Sequence, residues 1–362
     1  MPRNEVEGRT DEYDYSLPSH LIAQTPIEPR DASRLLVIDR SSGMLEHRRF
    51  RDVGDYLLPG DLLIANQSRV IPARLHCRKV PTGGKVELLL LSRRSDRRWE
   101  ALVGGRKVHV GTELLVEGNG THLKASVVSV TESGGRLIEF AAPLEPLLEA
   151  IGIVPLPPYI HEPLSDPERY QTVYAHVRGS VAAPTAGLHF TPALMQALGE
   201  SGVEFDFVTL HIGLDTFRPV SEERIRDHRI HTEYGQLTAA VAQKINRAKH
   251  EGRRIVAVGT TTVRVLETAA RIGAACDSEL DRAVQAGGDV VTPFADQTDL
   301  FIYPGFDFRV TDALITNFHL PRSSLLMLVA AFAGKELLDR AYAEAVEREY
   351  RFYSFGDASL IL

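Results

Sequence analysis

Apolar positions along this chain follow two rhythms, and the change of rhythm divides it. From residue 73 to 150, short alternating segments predict strands at Arg74 to Val80, Lys85 to Leu91, Trp99 to Val103, Glu113 to Val116, Leu123 to Val130 and Arg136 to Phe140. Glycine-rich turns at Gly83-Gly84, Gly104-Gly105, Gly118-Asn119-Gly120 and Gly134-Gly135 separate them, with no helical period between. Such spacing predicts a small all-β domain, a barrel-like closure or a sandwich, inserted into the chain. On either side, continuous apolar runs alternate with helical periods. Leu35 to Asp39, Leu62 to Asn66, Val203 to His211, Ile255 to Val258, Leu300 to Tyr303 and Asp312 to Thr316 read as strands, and His228 to Tyr234 alternates as one. Helices are predicted over Arg51 to Leu58, after Thr191-Pro192, from Thr238 to His250, and over Val263 to Arg271, Ser324 to Phe332 and Leu337 to Arg348. The reading is an α/β body over 13–72 and 151–362, the β insert over 73–150, and a disordered lead over 1–12. Gly273 to Gln297 shows no readable pattern, and the aromatic tail Tyr350 to Ala358 is expected to pack back on the body.

Polar loops cluster where predicted strands give way to helices. Gly179 to Phe190 surrounds His189 with Gly, Ala, Ser and Pro, so its backbone can lie close against a neighbour. Thr191 then caps a helix with Pro192 at its first position. His211 and Asp215 follow at the end of the next strand. Asn317-Phe318-His319-Leu320-Pro321-Arg322-Ser323 and Gly259-Thr260-Thr261-Thr262 repeat the strand, polar turn, helix arrangement. Helix N-termini offer free amide donors suited to a carboxylate or a phosphate.

Composition removes several classes. No apolar run reaches the roughly 18 residues of a membrane span, and Met1 to Thr10 lacks the apolar segment of a secretory signal, so a cytoplasmic protein is expected. Two cysteines, Cys77 and Cys276, argue against a disulfide framework, and no His-Glu-x-x-His or His-x-His spacing points to a metal. The formal charge of −7 speaks against broad nucleic-acid binding. The distribution is uneven, however. Between Val70 and Ala150 twelve Lys and Arg stand against nine Asp and Glu, a net of +3, which leaves −10 for the remainder. Because screening confines each charge to about 8 Å, the pairs Arg78-Lys79, Arg93-Arg94, Arg97-Arg98 and Arg106-Lys107 suit either phosphate contact or a solvated surface.

Longer strings carry more than periodicity does. Tyr13 to Pro26, Gly60 to Leu75, Gly83 to Glu87, Pro155 to Tyr159, Tyr170 to Tyr174, Gly179 to Phe190, Val208 to Val220, Val258 to Arg264, Tyr303 to Phe306, Thr316 to Leu328 and Tyr350 to Asp357 resemble, in order, the S-adenosylmethionine:tRNA ribosyltransferase-isomerases of queuosine biosynthesis. The resemblance implies transfer and isomerisation of the ribosyl carbons of S-adenosylmethionine onto 7-aminomethyl-7-deazaguanine at the tRNA wobble position, giving epoxyqueuosine-tRNA, adenine and methionine. It also implies an α/β body with an inserted β-barrel, and no metal or redox cofactor, S-adenosylmethionine being a substrate. A monomer is expected.

That chemistry needs a base for a proton beside the sulfonium, a group to help adenine leave, and a neutral amine. The resemblance puts His189, His211 and His319 forward for proton transfer, without choosing among them. Asp215 and Asp357 suit orienting an imidazole or facing the sulfonium. For substrate binding it offers Thr185, Gly187, Thr216, Thr260, Thr261, Arg264, Asn317 and Arg322, with Arg264 and Arg322 suited to the methionine carboxylate. Phe190, Phe217, Tyr353 and Phe355 suit stacking on a base, or plain core packing. For tRNA phosphates the candidates are Arg69, Arg74, Arg93, Arg94, Arg97 and Arg98. The chain departs from the family pattern at Asn66-Gln67-Ser68-Arg69, where an Asn or Asp and a Thr usually stand, and at Asp215, where many members carry Gly. Two alternatives remain: an S-adenosylmethionine-dependent tRNA methyltransferase, though Gly259-Thr260-Thr261 is not that fold's glycine fingerprint, and a non-catalytic tRNA-binding protein.

Overall fold

A computed structural model describes residues 8–131, 134–213, 220–276 and 288–362. The described residues divide into two compact units, one within Met1–Ser68, Pro158–Val177 and Pro184–Leu362, the other within Arg69–Pro157 and Arg178–Ala183.

In the first unit the chain forms β1 (Arg34–Ile38), β2 (Leu45–Arg49) and β3 (Leu62–Asn66). The second unit is built on β4 (Arg74–Val80), β5 (Lys85–Arg93), β6 (Arg98–Gly104), β7 (Glu113–Gly118), β8 (Thr121–Val130) and β9 (Arg136–Phe140). These run antiparallel in the order β4-β5-β6-β9-β8-β7, and pairing of β4 with β7 closes the barrel. Closure leaves no open edge among the six. Leu88, Leu90, Trp99, Ala101, Val116, Val127 and Ile138 point inward at a spacing of two, as the alternation predicts.

The remaining strands return to the first unit: β10 (Glu204–Leu210), β11 (Glu233–Leu237), β12 (Ile255–Val258), β13 (Phe294–Thr298), β14 (Ala313–Asn317) and β15 (Ala358–Ile361). With β1 to β3 they form one sheet in the order β13-β11-β10-β3-β12-β14-β15-β1-β2. The four central strands β10, β3, β12 and β14 are mutually parallel, so their carboxyl ends share one edge. β15 runs antiparallel to β14 and parallel to β1, which brings Ala358 opposite both Asn317 and Leu35. The aromatic tail therefore ends as an interior strand.

Side-chain alternation decides what each face of this sheet carries. Leu35, Val37, Leu63, Ala65, Val256, Val258, Ala313, Ile315, Ala358 and Leu360 form one face. Ala186 and Phe190, and Leu194 and Leu198 of helix α1 (Pro192–Glu200), pack on it. Thr191 caps α1 by accepting from the Leu194 amide at 3.1 Å. Further helices of this unit, among the described residues, are α2 (Ala239–His250), α3 (Thr260–Cys276), α4 (Ser324–Ala333) and α5 (Lys335–Glu347).

Several expectations need correction. Leu300 to Tyr303 is not a strand: its apolar residues mark burial of Ile302, and the outer ladder partner of β11 is Phe294–Thr298, which begins inside the stretch that showed no pattern and ends one residue beyond it. That strand lies at the sheet edge and exposes Ala295, Asp296 and Gln297, so it carries little hydrophobic signal. His228 to Tyr234 alternates, yet pairing begins only at Glu233. The segment Arg51 to Leu58 is a 3-10 helix at Phe50–Tyr56. Helix α3 starts three residues before its predicted start, because Thr262 Oγ1 donates to the Val258 carbonyl at 2.7 Å and the three threonines form the first turn.

Candidate active site

The loops carrying His189, Asn317 to His319 and Gly259 to Thr261 meet along the carboxyl edge of the parallel strands, the edge where open α/β sheets hold their ligands. His189 ends a 3-10 turn, Thr185–His189, laid against this edge. Its Nδ1 lies 2.7 Å from Ser33 Oγ, its Nε2 lies 3.2 Å from Asn317 Nδ2, and its ring stacks on Phe50 with centroids 4.9 Å apart. The same Asn317 amide donates to the Tyr353 carbonyl at 3.0 Å, which fixes it as the nitrogen. It therefore donates to His189 Nε2, and His189 carries its proton on Nδ1, toward Ser33. Burial pulls the His189 pKa down to about 3, with the Arg351 and Arg30 charges adding to the effect, so the ring is neutral. Asn317 Oδ1 is buried without a partner among the described residues.

His319 is held at three points. Its Nε2 lies 2.8 Å from Thr316 Oγ1, its amide donates to Tyr342 Oη at 2.9 Å, and its carbonyl accepts from Tyr15 Oη at 2.5 Å. Burial lowers its pKa to about 3 as well. His211 follows β10, stacks on Tyr234 at 5.7 Å, and leaves Nδ1 buried without a partner among the described residues. Burial lowers its pKa also.

Two glycines let the loops close in. Gly259 takes a left-handed φ of 91° and donates to the Ile315 carbonyl at 2.8 Å, turning β12 into α3. A Cβ there would lie 3.6 Å from Ala186 Cβ, so the 3-10 turn runs beside the corner that leads into α3. A Cβ on Gly187 would lie 2.1 Å from Tyr174 Oη, so only glycine fits. Asn66 ties two strands together, its Oδ1 accepting from the Leu210 amide at 3.1 Å and its Nδ2 donating to the Leu210 carbonyl at 3.0 Å and to Thr261 Oγ1 at 3.4 Å. Thr260 and Thr261 are buried in the same corner, and Thr185 is half-buried. Backbone strain gathers here too: Arg322 and Tyr353 hold φ values of 55° and 71°.

Other expected residues are occupied elsewhere. Asp357 orients no imidazole. Its buried carboxylate accepts from the Arg34 and Arg351 amides, each at 2.8 Å, and pairs with the Arg34 guanidinium at 3.3 Å, fastening β15 to β1. Arg264 is buried in an ion pair with Glu233 and donates to the Leu300 carbonyl at 3.1 Å, so its guanidinium is not open to a carboxylate. Glu233 also accepts from the Gly213 amide at 2.8 Å. Arg322 is half-buried, with Nε lacking a partner among the described residues. Phe190 packs against Phe50 and Phe205, and Phe355 against Tyr170, which is core packing. Tyr353 lies 4.8 Å from Tyr159, ring to ring. Asp215, Thr216 and Phe217 lie outside the described residues. Ser33, Phe50, Thr316 and Glu233 escaped sequence reading, since nothing local marks a lone Ser, Phe, Thr or Glu.

In the barrel unit, Arg74 pairs with Glu87, Arg93 with Asp96 and Glu145, Arg94 with Glu100, and Arg98 with Glu139. Arg97 is exposed and Arg69 half-buried. No group of three His, Cys, Asp or Glu suited to a metal occurs among the described residues. No described helix is long and apolar enough to cross a membrane. A cavity beside Asn246, Arg247 and His250 of α2 contains none of the expected site residues.

Residues 10–361 match the model of a family described as queuosine biosynthesis protein. The S-adenosylmethionine:tRNA ribosyltransferase-isomerase of Moorella thermoacetica is 54% identical over 358 residues, 98% of this chain and 100% of that one. The protein of the same name from Thermotoga petrophila is 52% identical over 357 residues, again 98% and 100%. A crystal structure of S-adenosylmethionine tRNA ribosyltransferase from Thermotoga maritima is 41% identical, covers 97% of this chain and 100% of its own, and aligns with a TM-score of 0.54. With its full-length likeness to these enzymes, this chain belongs to the queuosine biosynthesis protein family.

Proposed function

We propose that this chain transfers and isomerises the ribosyl group of S-adenosylmethionine onto 7-aminomethyl-7-deazaguanine in tRNA, yielding epoxyqueuosine-tRNA, adenine and methionine. The relatives' shared name and the family support this reading. The structural observation that carries it is the meeting of three polar loops, with two neutral imidazoles, along the carboxyl edge of the parallel sheet. A cationic sulfonium disfavours a second positive charge nearby, and neutral rings suit it.

Chemically, a base removes the proton on the ribose carbon beside the sulfonium, the glycosidic bond to adenine breaks, and the substrate amine attacks as methionine departs. His189 has both ring nitrogens engaged and positions Ser33 and Asn317. His211, with Nδ1 unpartnered among the described residues, is the better base. Asn317 Oδ1 is an acceptor for a substrate N–H or O–H. The barrel arginines contact tRNA phosphates, and the protein works in the cytoplasm as a monomer without a metal or redox cofactor.

The test is incubation with S-adenosylmethionine and precursor-bearing tRNA, followed by analysis of small molecules and nucleosides. Adenine and methionine in equal amounts, with epoxyqueuosine in the tRNA, is the expected result. S-adenosylhomocysteine with a methylated nucleoside would replace this reading by methylation, and tRNA binding with no turnover would replace it by a binding protein. Exhaustive dialysis against a chelator leaves turnover unchanged if no metal takes part.

A further inference from the structure

We propose that the hydroxyls of Tyr174 and Thr172 bind S-adenosylmethionine in the first unit, as hydrogen-bonding groups beside the Thr185–His189 turn. This assignment rests on the proposed function and adds residues to its small-molecule site.

Tyr174 Oη and Thr172 Oγ1 are both buried, and neither has a hydrogen-bond partner among the described residues. Thr172 is only 4% exposed. Buried hydroxyls without partners are uncommon, because each gives up its water without replacement. Phenylalanine and valine would fill the same space without that cost. The two residues stand two apart in the chain and both border one glycine: a Cβ on Gly187 would meet Tyr174 Oη at 2.1 Å and the Thr172 methyl, Cγ2, at 2.8 Å. The small-residue turn thus admits a phenol that core packing does not need.

Location supports a ligand role. The Tyr174 ring packs on Phe207 of β10 with centroids 5.1 Å apart, which aims its hydroxyl at the turn. Ala186, next to Gly187 in the chain, faces the Gly259 corner where α3 begins, within 3.6 Å of where a Cβ on Gly259 would stand. Tyr174 Oη therefore borders Gly187, whose chain neighbour Ala186 faces Gly259, the residue before a helix of 17 residues whose first amides favour an anionic or acceptor group. Burial raises the Tyr174 pKa, so the phenol keeps its proton and donates. Unpartnered hydroxyl donors on neighbouring residues of this turn suit the acceptor oxygens of a small molecule, here the aminoacyl carboxylate.

Tyr174→Phe and Thr172→Val decide the matter, each measured in three ways. The expected result is a rise of about tenfold in KM for S-adenosylmethionine in each variant, one hydrogen bond's worth. KM for tRNA and kcat stay within about threefold, and the melting temperature without ligand stays unchanged or rises, since an unpartnered hydroxyl is removed. Equilibrium dialysis with S-adenosylmethionine, and separately with methionine and with adenosine, gives a readout that does not depend on turnover. Weakened methionine binding with unchanged adenosine binding supports the carboxylate contact, and the reverse overturns it. Unchanged KM in both variants, or a lower melting temperature with unchanged KM, overturns the proposal and makes the hydroxyls structural. Wild-type protein that releases adenine while Tyr174→Phe behaves identically retires this assignment alone. Wild-type protein that binds S-adenosylmethionine but releases no adenine retires the proposed function, and the dialysis then decides this one.

Discussion

At the scale of single residues, the imidazoles show how burial sets chemistry. His189 and His319 titrate near 3 in the folded chain, against 6.5 for an ordinary histidine. Between those values the unfolded chain binds a proton on each ring and the folded chain does not, so unfolding takes up protons. Stability is therefore full above about pH 6.5 and falls as pH drops toward 3, by about 1.4 kcal/mol per pH unit for each ring. Urea denaturation at pH 7, 6 and 5 should show this slope, and the double variant His189→Gln, His319→Gln should lose most of it; an unaltered slope would mean other groups carry it. Catalysis separates the rings differently. His211→Ala should lower kcat by about a hundredfold or more if it is the base, with the folded state intact by circular dichroism. A smaller loss than in His319→Ala would hand the role to His319. The sequence pointed to all three histidines, because an imidazole in a polar loop is visible there, but whether a ring nitrogen is engaged depends on partners such as Ser33 and Asn317 at His189 and Thr316 at His319, and the first two are far from His189 in the chain.

Elements extend the same lesson. Strands buried on both faces, such as Leu62–Asn66 and Ile255–Val258, were legible to the residue because burial on both faces demands unbroken apolar runs. Phe294–Thr298 was not, since an edge strand is fixed by its ladder with Glu233–Leu237 and carries few apolar residues of its own. Arg264 and Asp357 looked like ligand groups for a related reason: a buried charge is equally at home in a site or in a clamp, and only the partner distinguishes them. Arg264 shows the energetic consequence. Removing its partner by Glu233→Leu leaves a guanidinium with a charge uncompensated in the interior, which should cost about 3–5 kcal/mol. It also frees the Gly213 amide from its acceptor. Replacing both partners, as Glu233→Leu with Arg264→Met, should recover part of that loss in chemical denaturation. If the single change costs no more than the double, the pair is not the clamp described above.

For the whole molecule, the question is how a chain of charge −7 holds a polyanion. The net of +3 over Val70 to Ala150 was visible in the sequence, but the pairing of its arginines was not, because Glu139 and Glu145 are far along the chain from Arg98 and Arg93. These ion pairs are exposed on at least one side, and exposed pairs contribute little, about 0–1 kcal/mol each, so a phosphate can displace the carboxylate at small cost. The displacement still counts against binding. Neutralising the carboxylates by Glu139→Gln and Glu145→Gln should therefore tighten tRNA binding, while Arg93→Gln with Arg98→Gln should weaken it and lower the slope of log K against log salt by about one for each phosphate left without its arginine. Both follow from one competition, so they must move in opposite directions. Filter binding over a salt series of roughly 50 to 300 mM reads both, and a salt slope that neither pair of substitutions alters would remove this face of the barrel from the tRNA-binding surface.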